Sequence, residues 1–373
     1  MMNRRERFKN IRKVVVKVGT SVLTSGDDLD IGYIQRLAGE IAELRRRGTD
    51  IILVSSGAIS AGMGQLSLKT RPRSIPQLQA AAAVGQNRLM HNYQVAFEQH
   101  GLTIAQILLT ADDLKDRQRY LNARNTLLTL WGYGIIPIVN ENDSVATEEI
   151  RVGDNDSLSA QVANLIDADL LIILSDIDGL LSGDPRKCPD ASLISTVSEI
   201  TLQIERFAGK AGREYAIGGM KTKIQAAKIV TSSGEMMVIA NGRKDSLIDI
   251  LEGKQIGTLF LPQGDRMSCR KRWIAFTLEK KGSLIADEGA INAIVGRGKS
   301  LLPSGIVDVQ GKFKTGEAVG IEDRSGKEIA RGLVNYSSDE VKMILGKKSY
   351  QIEDILGYCY YEEVIHRDNL VVL

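Results

Sequence analysis

The residues best suited to chemistry lie in short polar, glycine-rich segments, each of which follows an apolar run. They occur at 17–21 (KVGTS), 55–58 (SSGA), 140–143 (NEND) with 153–156 (GDND), 175–176 (SD) and 218–223 (GGMKTK). Lys17 and Lys223 supply positive charge, and the glycines leave backbone N–H groups open to an anion. Phosphoryl transfer needs cations on the moving group, N–H groups around the phosphates and in-line positioning. The segments together therefore favour a phosphate site.

Each segment taken alone also has a structural explanation. A lysine within a strand is more often solvated at a sheet edge, and SSGA is as often a turn that starts a helix. GDND is a good β-turn, and the pair 175–176 is able to cap the turn that follows it. The order and spacing of the whole set must therefore decide between these interpretations.

Strands and helices alternate through the first 260 residues. The run 13–18 (KVVVKV) predicts a strand, Asp30 is the expected cap of the next helix, and 51–54 (IILV) is typical of a buried parallel strand. We therefore predict an α/β fold, a three-layer helix-sheet-helix domain with a mainly parallel sheet, over residues 1–265. Ligands bind at the carboxyl ends of such strands, so the polar segments should converge there.

The sequence changes in character after residue 270. Short β-like runs bounded by glycine, such as 305–311 (GIVDVQG) and 316–322 (GEAVGIE), replace the alternation. The stretch 263–271 carries the glycine and charge of a linker. These features predict a small β-rich domain over residues 278–373.

Length and composition set the broad class. The chain has 373 residues, 43% hydrophobic and 25% charged, which is typical of a globular protein with about two domains. Its 48 Lys and Arg against 46 Asp and Glu leave a net charge of +2, too little to favour nucleic-acid binding. No apolar run follows the basic start, so we expect a cytoplasmic protein without a membrane segment.

Several familiar catalytic motifs are absent from the sequence. It contains no GxxxxGK[ST], no GxGxxG after the first strand and no His-Arg-Asp signature, which removes the P-loop, dinucleotide-binding and protein-kinase interpretations. The three cysteines and three histidines show no metal-ligand spacing and no triad setting. A different phosphate-binding fold is required.

The ordered segments resemble the amino acid kinase family, most closely its glutamate-phosphorylating branch. The resemblance is carried by 15–24 (VVKVGTSVLT), 55–58 (SSGA), 140–146 (NENDSVA), 152–160 (VGDNDSLSA) and 218–223 (GGMKTK), in one order across most of the first 260 residues. It implies the amino acid kinase fold and transfer of a phosphoryl group from ATP, with Mg²⁺, to the γ-carboxylate of L-glutamate. Residues 281–357 resemble a PUA domain.

The same resemblance implies a role for individual positions. Lys17 and Lys223 would stabilise the transferring phosphoryl group, and Asp156 would lie between them and orient them. The substrate-binding positions would be Ser56, Asp143, Asn155 and Asp154. The ATP-binding positions would be Lys17, Gly19, Ser175, Asp176, Gly218, Gly219, Met220, Lys221, Thr222 and Lys223. No protein side chains would form a metal site, because ATP phosphates and water would hold the Mg²⁺.

The resemblance also implies partners and regulation. The acyl phosphate product would pass to a glutamyl phosphate reductase in proline biosynthesis, and proline would inhibit by competing around the glutamate site. The kinase domain would form a homo-oligomer, a dimer or a tetramer. One departure from the family pattern is Ile217, which stands where a small hydroxyl residue or glycine is usual and predicts altered nucleotide affinity.

Two alternatives remain open from the sequence. Another amino acid kinase, acting on acetylglutamate, aspartate, uridylate or carbamate, would share the sheet and the lysines. An RNA-binding protein acting through the PUA-like tail is the alternative from another class, although the charge of the tail does not favour it.

Overall fold

An eight-stranded sheet organises the first part of the chain. A computed structural model describes residues 3–26, 28–145, 155–183, 188, 190–208, 219–263 and 269–373. The strands up to residue 263 are β1 (Lys13–Val18), β2 (Thr24–Ser25), β3 (Asp28–Leu29), β4 (Asp50–Val54), β5 (Ile104–Leu109), β6 (Ile136–Glu141), β7 (Leu170–Ser175), β8 (Thr196–Val197), β9 (Met236–Asn241) and β10 (Thr258–Phe260). β2 and β3 form a separate small hairpin.

The large sheet has the order β5-β6-β4-β1-β7-β9-β10-β8. Among these pairs only β9 and β10 run antiparallel. β1 lies between β4 and β7, so the chain moves to one side of β1 after its first crossover and to the other side later. Such a switch point places a crevice at the carboxyl ends of these strands. The predicted α/β fold with a mainly parallel sheet is confirmed.

Two groups of helices complete the layers. The helices up to residue 263 are α1 (Arg4–Phe8), α2 (Thr20–Leu23), α3 (Ile31–Arg46), α4 (Ala58–Gln65), α5 (Ile75–Glu98), α6 (Ala111–Lys115), α7 (Arg117–Gly132), α8 (Asp156–Ile166), α9 (Leu202–Ala208), α10 (Met220–Ser232) and α11 (Leu247–Leu251). α3, α4, α5 and α11 pack in one connected group, and α7, α8, α9 and α10 in another. None of the helices in the described part of the chain has the length and apolar character that a bilayer crossing requires.

Alternation along β1 decides which layer each of its side chains faces. Val14, Val16 and Val18 belong to the core cluster formed with α3 and α5. Because successive side chains of a strand point to opposite faces, Lys17 points to the other face. α8 packs on that part of the sheet and α10 packs on α8. The strand pattern therefore directs Lys17 toward the layer that contains α8 and α10.

The chain divides into two compact units, Met1–Arg266 and Met267–Leu373. The second unit contains a five-stranded sheet of order β12-β11-β13-β14-β15, with its own apolar core. Its elements are α12 (Cys269–Arg272), a π-helix (Trp273–Thr277), β11 (Gly282–Ala286), α13 (Glu288–Arg297), β12 (Ile306–Gly311), β13 (Ala318–Glu322), β14 (Glu328–Leu333), α14 (Ser338–Ile344), α15 (Ile352–Leu356) and β15 (Leu370–Val372), with short 3₁₀ turns at Pro303–Gly305, Ser349–Gln351 and Arg367–Asn369. The expected β-rich second domain is confirmed. The residue limits 1–265 and 278–373 stay predictions.

Candidate active site

A buried carboxylate joins two lysines at the carboxyl edge of the sheet. Lys17 Nζ lies 2.7 Å from Asp156 Oδ1, and Lys223 Nζ lies 3.1 Å from Asp156 Oδ2. Asp156 is fully buried, and each lysine is only 2% exposed. One carboxylate against two ammonium groups leaves the cluster with a net charge of about +1 when all three are ionised. An anion at this edge would therefore be attracted.

Three elements position this cluster. Lys17 is the next-to-last residue of β1, Asp156 is the first residue of α8, and Lys223 lies in the first turn of α10. Gly19 follows β1, and a Cβ atom there would lie 3.4 Å from the Leu174 carbonyl oxygen and 3.8 Å from Lys17 Nζ. The absence of a side chain at Gly19 therefore keeps the space beside Lys17 clear.

The start of α10 adds further groups suited to phosphate. Thr222 Oγ1 donates to Asp156 Oδ2 at 2.9 Å and is also within 2.8 Å of the Gly219 carbonyl oxygen. Gly219 is the N-cap, and its carbonyl oxygen accepts from the Thr222 N–H at 3.2 Å. The N–H groups of Met220 and Lys221 have no acceptor within the helix. Such an N-terminus favours negative charge.

The residues predicted at the end of β7 lie at the same edge of the sheet. Ser175 is buried at 5% exposure and Asp176 is exposed, and the Ser175 hydroxyl donates to Asp176 Oδ1 at 3.1 Å. β7 pairs with β1 and β9, so its carboxyl end lies beside the ends of both strands. The nucleotide-binding roles of Ser175 and Asp176 stay predictions.

A cavity lies beside the start of α8. Its lining includes three of the predicted substrate positions, Ser56, Asp143 and Asn155, together with Thr20 and Asn140. Asn155 and Asp156 are neighbours in the chain, so one backbone joins this cavity to the lysine cluster. The structure therefore brings a candidate acceptor site and a candidate phosphate site side by side.

Hydrogen bonds fix the amide of Asn155. Its Nδ2 donates to the Ser55 carbonyl oxygen at 2.5 Å and to Asn140 Oδ1 at 2.8 Å, while Asn140 Nδ2 donates to Gln86 Oε1 at 2.6 Å. Because Nδ2 is used in this way, the orientation of the amide is set before any ligand arrives. These contacts support Asn155 as a preorganised part of the cavity wall.

Ser56 is placed by an unusual backbone conformation at its neighbour. Gly57 adopts φ +91° as the N-cap of α4, in the left-handed region that glycine tolerates best. Ser56 is 3% exposed, and its buried Oγ atom has no hydrogen-bond partner among the described residues. A buried hydroxyl without a partner costs about 1–3 kcal/mol, so a ligand in the cavity would gain by bonding to it.

Burial controls the ionisation of Asp143. Removal from water raises the pKa of its carboxyl group more than the nearby positive charge of Arg71 lowers it, so that the pKa is about 6. The carboxylate is therefore ionised at neutral pH and becomes protonated in mildly acidic solution.

The sequence matches known proteins over nearly its full length. Residues 12–241 match the amino acid kinase family model. A protein of Caldanaerobacter subterraneus subsp. tengcongensis described as glutamate 5-kinase is 53% identical over 97% of this chain and 98% of its own, and the glutamate 5-kinase of Geobacter sulfurreducens is 53% identical over 98% and 99%. The chain belongs to the glutamate 5-kinase branch of the amino acid kinase family.

A second family model matches the later part of the chain. Residues 282–356 match the PUA domain model, within the second unit. A carbamate kinase from Giardia lamblia bound to AMP-PNP is similar in structure over 68% of this chain and 99% of its own, with 19% identity and a TM-score of 0.49. The family assignment therefore rests on the sequence relatives and not on this structural similarity.

Some predicted residues of this family member cannot be placed. Asp154, Gly218 and Ile217 lie outside the described residues, so their predicted roles stay predictions. Three cavity-lining residues, Ile59, Ser60 and Arg71, lie outside the segments that the sequence analysis selected, and Arg71 is the charged one among them. Arg71 belongs to an irregular segment between two helices. The principle that ligands bind at the carboxyl ends of parallel strands does not apply to such a segment. The local feature that marks it is the following Pro72, which favours an extended backbone at Arg71.

The described residues do not offer a ready metal site. They contain no group of three or more His, Cys, Asp or Glu side chains able to hold a metal ion. The carboxylate nearest the phosphate region, Asp156, is already engaged by Lys17 and Lys223. Magnesium prefers oxygen ligands and commonly keeps several waters beside nucleotide phosphates, so the donor chemistry here fits a metal that arrives with the nucleotide.

Proposed function

We propose that this protein transfers the γ-phosphoryl group of ATP to the γ-carboxylate of L-glutamate, forming L-glutamyl 5-phosphate and ADP. Identity above 50% with proteins described as glutamate 5-kinases, over nearly the whole chain, supports this assignment. The observation that carries it is the buried Asp156 carboxylate, which holds two ammonium groups near a cavity lined by Ser56, Asp143 and Asn155.

The chemical step needs no proton transfer. A γ-carboxylate oxygen of glutamate attacks the γ-phosphorus, and the bond from that phosphorus to the β,γ-bridging oxygen breaks, so that ADP leaves with the electron pair. A glutamate carboxyl is ionised at neutral pH, so no general base is required. The absence of histidine from the proposed residues agrees with this chemistry.

The lysines act on charge that develops during transfer. Lys17 and Lys223 would bind oxygens of the phosphoryl group and of the leaving ADP from two different elements. Asp156 holds both side chains at fixed positions through its two oxygens, so little reorganisation is needed when the charge moves. The N–H groups at the start of α10, beside Gly219, would bind the remaining phosphate oxygens.

The glutamate acceptor would bind in the cavity beside the start of α8. Asp143 would bind the α-ammonium group, while Ser56 and Asn155 would supply hydrogen bonds. Asp154 is a further predicted substrate residue that lies outside the described part of the chain. The adjacency of Asn155 and Asp156 would direct the γ-carboxylate of the bound amino acid toward the phosphoryl group.

Magnesium would enter this site as part of the nucleotide substrate. When bound to phosphate oxygens it neutralises charge on the leaving group. Ser175 and Asp176, at the end of β7, are the residues that we expect to lie closest to the hydrated nucleotide, with Gly19 leaving room for it.

The wider context follows from the same assignment. The product is an acyl phosphate that a glutamyl phosphate reductase would consume in proline biosynthesis. Free proline would inhibit by competing around the acceptor cavity, which includes Ser56 and Asp143. We expect a cytoplasmic homo-oligomer, a dimer or a tetramer.

The decisive experiment compares acceptors. ADP release is measured in a coupled assay with glutamate, acetylglutamate, aspartate, uridylate or carbamate, and hydroxylamine is added to convert any acyl phosphate to a hydroxamate. We expect glutamate-dependent ADP release with an equal amount of hydroxamate, and inhibition by proline that is relieved by more glutamate. Faster turnover of another acceptor, or ADP release without hydroxamate, would reject the assignment.

A further inference from the structure

The segment between α4 and α5 brings a cation into the acceptor cavity. This segment, residues 66–74 (LSLKTRPRS), contains Lys69, Arg71 and Arg73, and of these only Arg71 lines the cavity. Pro72 restricts the backbone of the residue before it to extended conformations. Among the described residues that line the cavity, Arg71 is the cationic one, beside the acidic Glu141 and Asp143.

Arg71 and Asp143 influence each other electrostatically. Burial lowers the pKa of the Arg71 guanidinium, and the charge of Asp143 raises it. Burial raises the pKa of Asp143 and the charge of Arg71 opposes this rise, and the pKa that results is about 6. Within the described residues neither side chain makes a hydrogen bond or a close ion pair, and both line the same cavity.

The Ser56 hydroxyl gives independent support for a ligand in this cavity. Its Oγ atom is buried without a hydrogen-bond partner in the described part of the chain, and it lines the same space as Arg71. A guanidinium, a carboxylate and a hydroxyl around one cavity match a molecule that carries an ammonium group and a carboxylate group on the same carbon atom. The head group of a free amino acid has this arrangement.

We propose that Arg71 binds the α-carboxylate of the amino-acid substrate while Asp143 binds its α-ammonium group. The proposal rests on the function proposed above and names the residue that recognises the α-carboxylate of the substrate. Each charge of the zwitterion meets an opposite charge, which offsets the cost of removing both from water. The γ-carboxylate, at the far end of the substrate, then remains available for the lysine cluster.

This arrangement makes Arg71 a determinant of specificity. A planar guanidinium binds a carboxylate through two parallel hydrogen bonds, which an α-carboxamide cannot match in charge or geometry. A substrate whose α-carboxylate is replaced by an amide would therefore lose the contact with Arg71 and keep the contact with Asp143. An N-acylated substrate would lose the contact with Asp143 instead.

The test uses the full chain and two acceptors, L-glutamate and its α-amide, in which the γ-carboxylate and the α-ammonium group are kept. The variants are Arg71→Ala, Arg71→Lys and the control Arg73→Ala, an arginine of the same segment that does not line the cavity. Turnover and KM are measured for each acceptor and for ATP, and thermal unfolding is recorded for each variant.

We expect Arg71→Ala to raise the KM for glutamate by about 10²-fold, because one partner of a desolvated charge pair is removed. Turnover at saturation and the KM for ATP should change less than about 3-fold, since the contact is made equally in the ground state and the transition state. The α-amide should be a poor substrate of the wild-type protein and should respond to Arg71→Ala less than about 3-fold. The KM of Arg71→Lys for glutamate should lie between those of the wild type and of Arg71→Ala. The KM of Arg73→Ala should match that of the wild type.

Two results would overturn the proposal while leaving the kinase assignment intact. One is a glutamate KM in Arg71→Ala that stays within about 2-fold of the wild type. The other is an equal loss for glutamate and its α-amide, which would assign Arg71 to the architecture of the segment. If the wild-type protein releases no ADP in response to glutamate, the proposed function is wrong, and the proposed role of Arg71 is then wrong as well.

Discussion

At the scale of single residues, the central feature is a buried carboxylate that serves two cations. Lys17, Asp156 and Lys223 are almost completely excluded from water, so each charge depends on the others. Breaking a buried pair by removing one partner typically costs about 3–5 kcal/mol. The same burial strengthens the field on a bound phosphate, because little water remains to screen it. The cluster is therefore important both for stability and for the proposed chemistry.

The first prediction concerns Lys17. Replacing it with alanine removes a cation from the transferring phosphoryl group, so turnover should fall by about 10²-fold or more. The matched control is Lys13→Ala, at the opposite end of the same strand and outside the proposed site. Steady-state kinetics on the two variants, with circular dichroism to confirm folding, tests this. Wild-type turnover in Lys17→Ala would remove Lys17 from the mechanism.

The second prediction concerns pH and Asp143. Only the ionised carboxylate binds an ammonium group, so the KM for glutamate should rise about tenfold for each pH unit below about 6. Glutamate itself does not titrate appreciably until lower pH. The charged groups that line the cavity with Asp143 are Arg71, which lowers the pKa of Asp143, and Glu141.

Asp143→Asn supplies the control for this pH dependence. The variant should bind glutamate weakly at every pH, and its KM for glutamate should show no further rise in acidic solution. Its KM for ATP should stay close to that of the wild type. A wild-type profile that is flat down to pH 5, or equal losses for glutamate and ATP in the variant, would contradict the placement of Asp143.

At the scale of elements, the position of the acceptor cavity depends on a close crossing of α4 and α5. A Cβ atom on Gly62 would lie 1.8 Å from the Ala81 carbonyl oxygen, and one on Gly85 would lie 1.8 Å from the Ala58 carbonyl oxygen. The two backbones therefore touch, and only glycine allows this approach. α4 begins next to Ser56, so the crossing also sets where Ser56 lies.

The third prediction follows from this crossing. Gly62→Ala or Gly85→Ala should force the helices apart, destabilise the protein by about 1–3 kcal/mol and raise the KM for glutamate more than that for ATP. Gly132→Ala, near the end of α7, is the control because a Cβ atom there meets nothing within 4 Å. Thermal unfolding and kinetics compare the three variants. Unchanged stability in Gly62→Ala would show that the crossing tolerates a methyl group.

At the scale of the whole molecule, every proposed catalytic and binding residue lies in the first unit. The large sheet and the lysine cluster belong to Met1–Arg266, whereas the PUA match lies within Met267–Leu373. Each unit has its own apolar core. The proposed catalytic machinery therefore does not draw on residues of the second unit.

The fourth prediction tests this division. A chain ending at Gln263 should fold and retain measurable glutamate-dependent ADP release, because the large sheet and every residue proposed for the site precede that position. The full chain assayed in parallel is the reference, and Lys17→Ala in the shortened chain shows whether the residual activity arises from the same site. A soluble, folded and inactive fragment would mean that the second unit is needed for catalysis.

The sequence alone was sufficient for the layered fold and for the polar segments at the carboxyl edge of its sheet. Apolar runs of strand length and helical spacing of apolar residues are local signals, so β1, α3 and the strands that flank β1 were predictable. Strands that run parallel share one carboxyl edge, so polar segments after them had to converge. The family resemblance added Asp156 as the link between Lys17 and Lys223, and the structure places the three side chains in contact.

Tertiary structure decided what no local pattern contains. Arg71 lines the cavity from an irregular segment, and Asp143, which lines the same cavity, is 72 positions away in the sequence. The contact of Gly62 with α5 depends on the angle at which two helices cross. Local propensity reflects interactions between near neighbours in the chain, whereas these contacts depend on helix packing and strand register, which only the assembled sheet and its two helical layers determine.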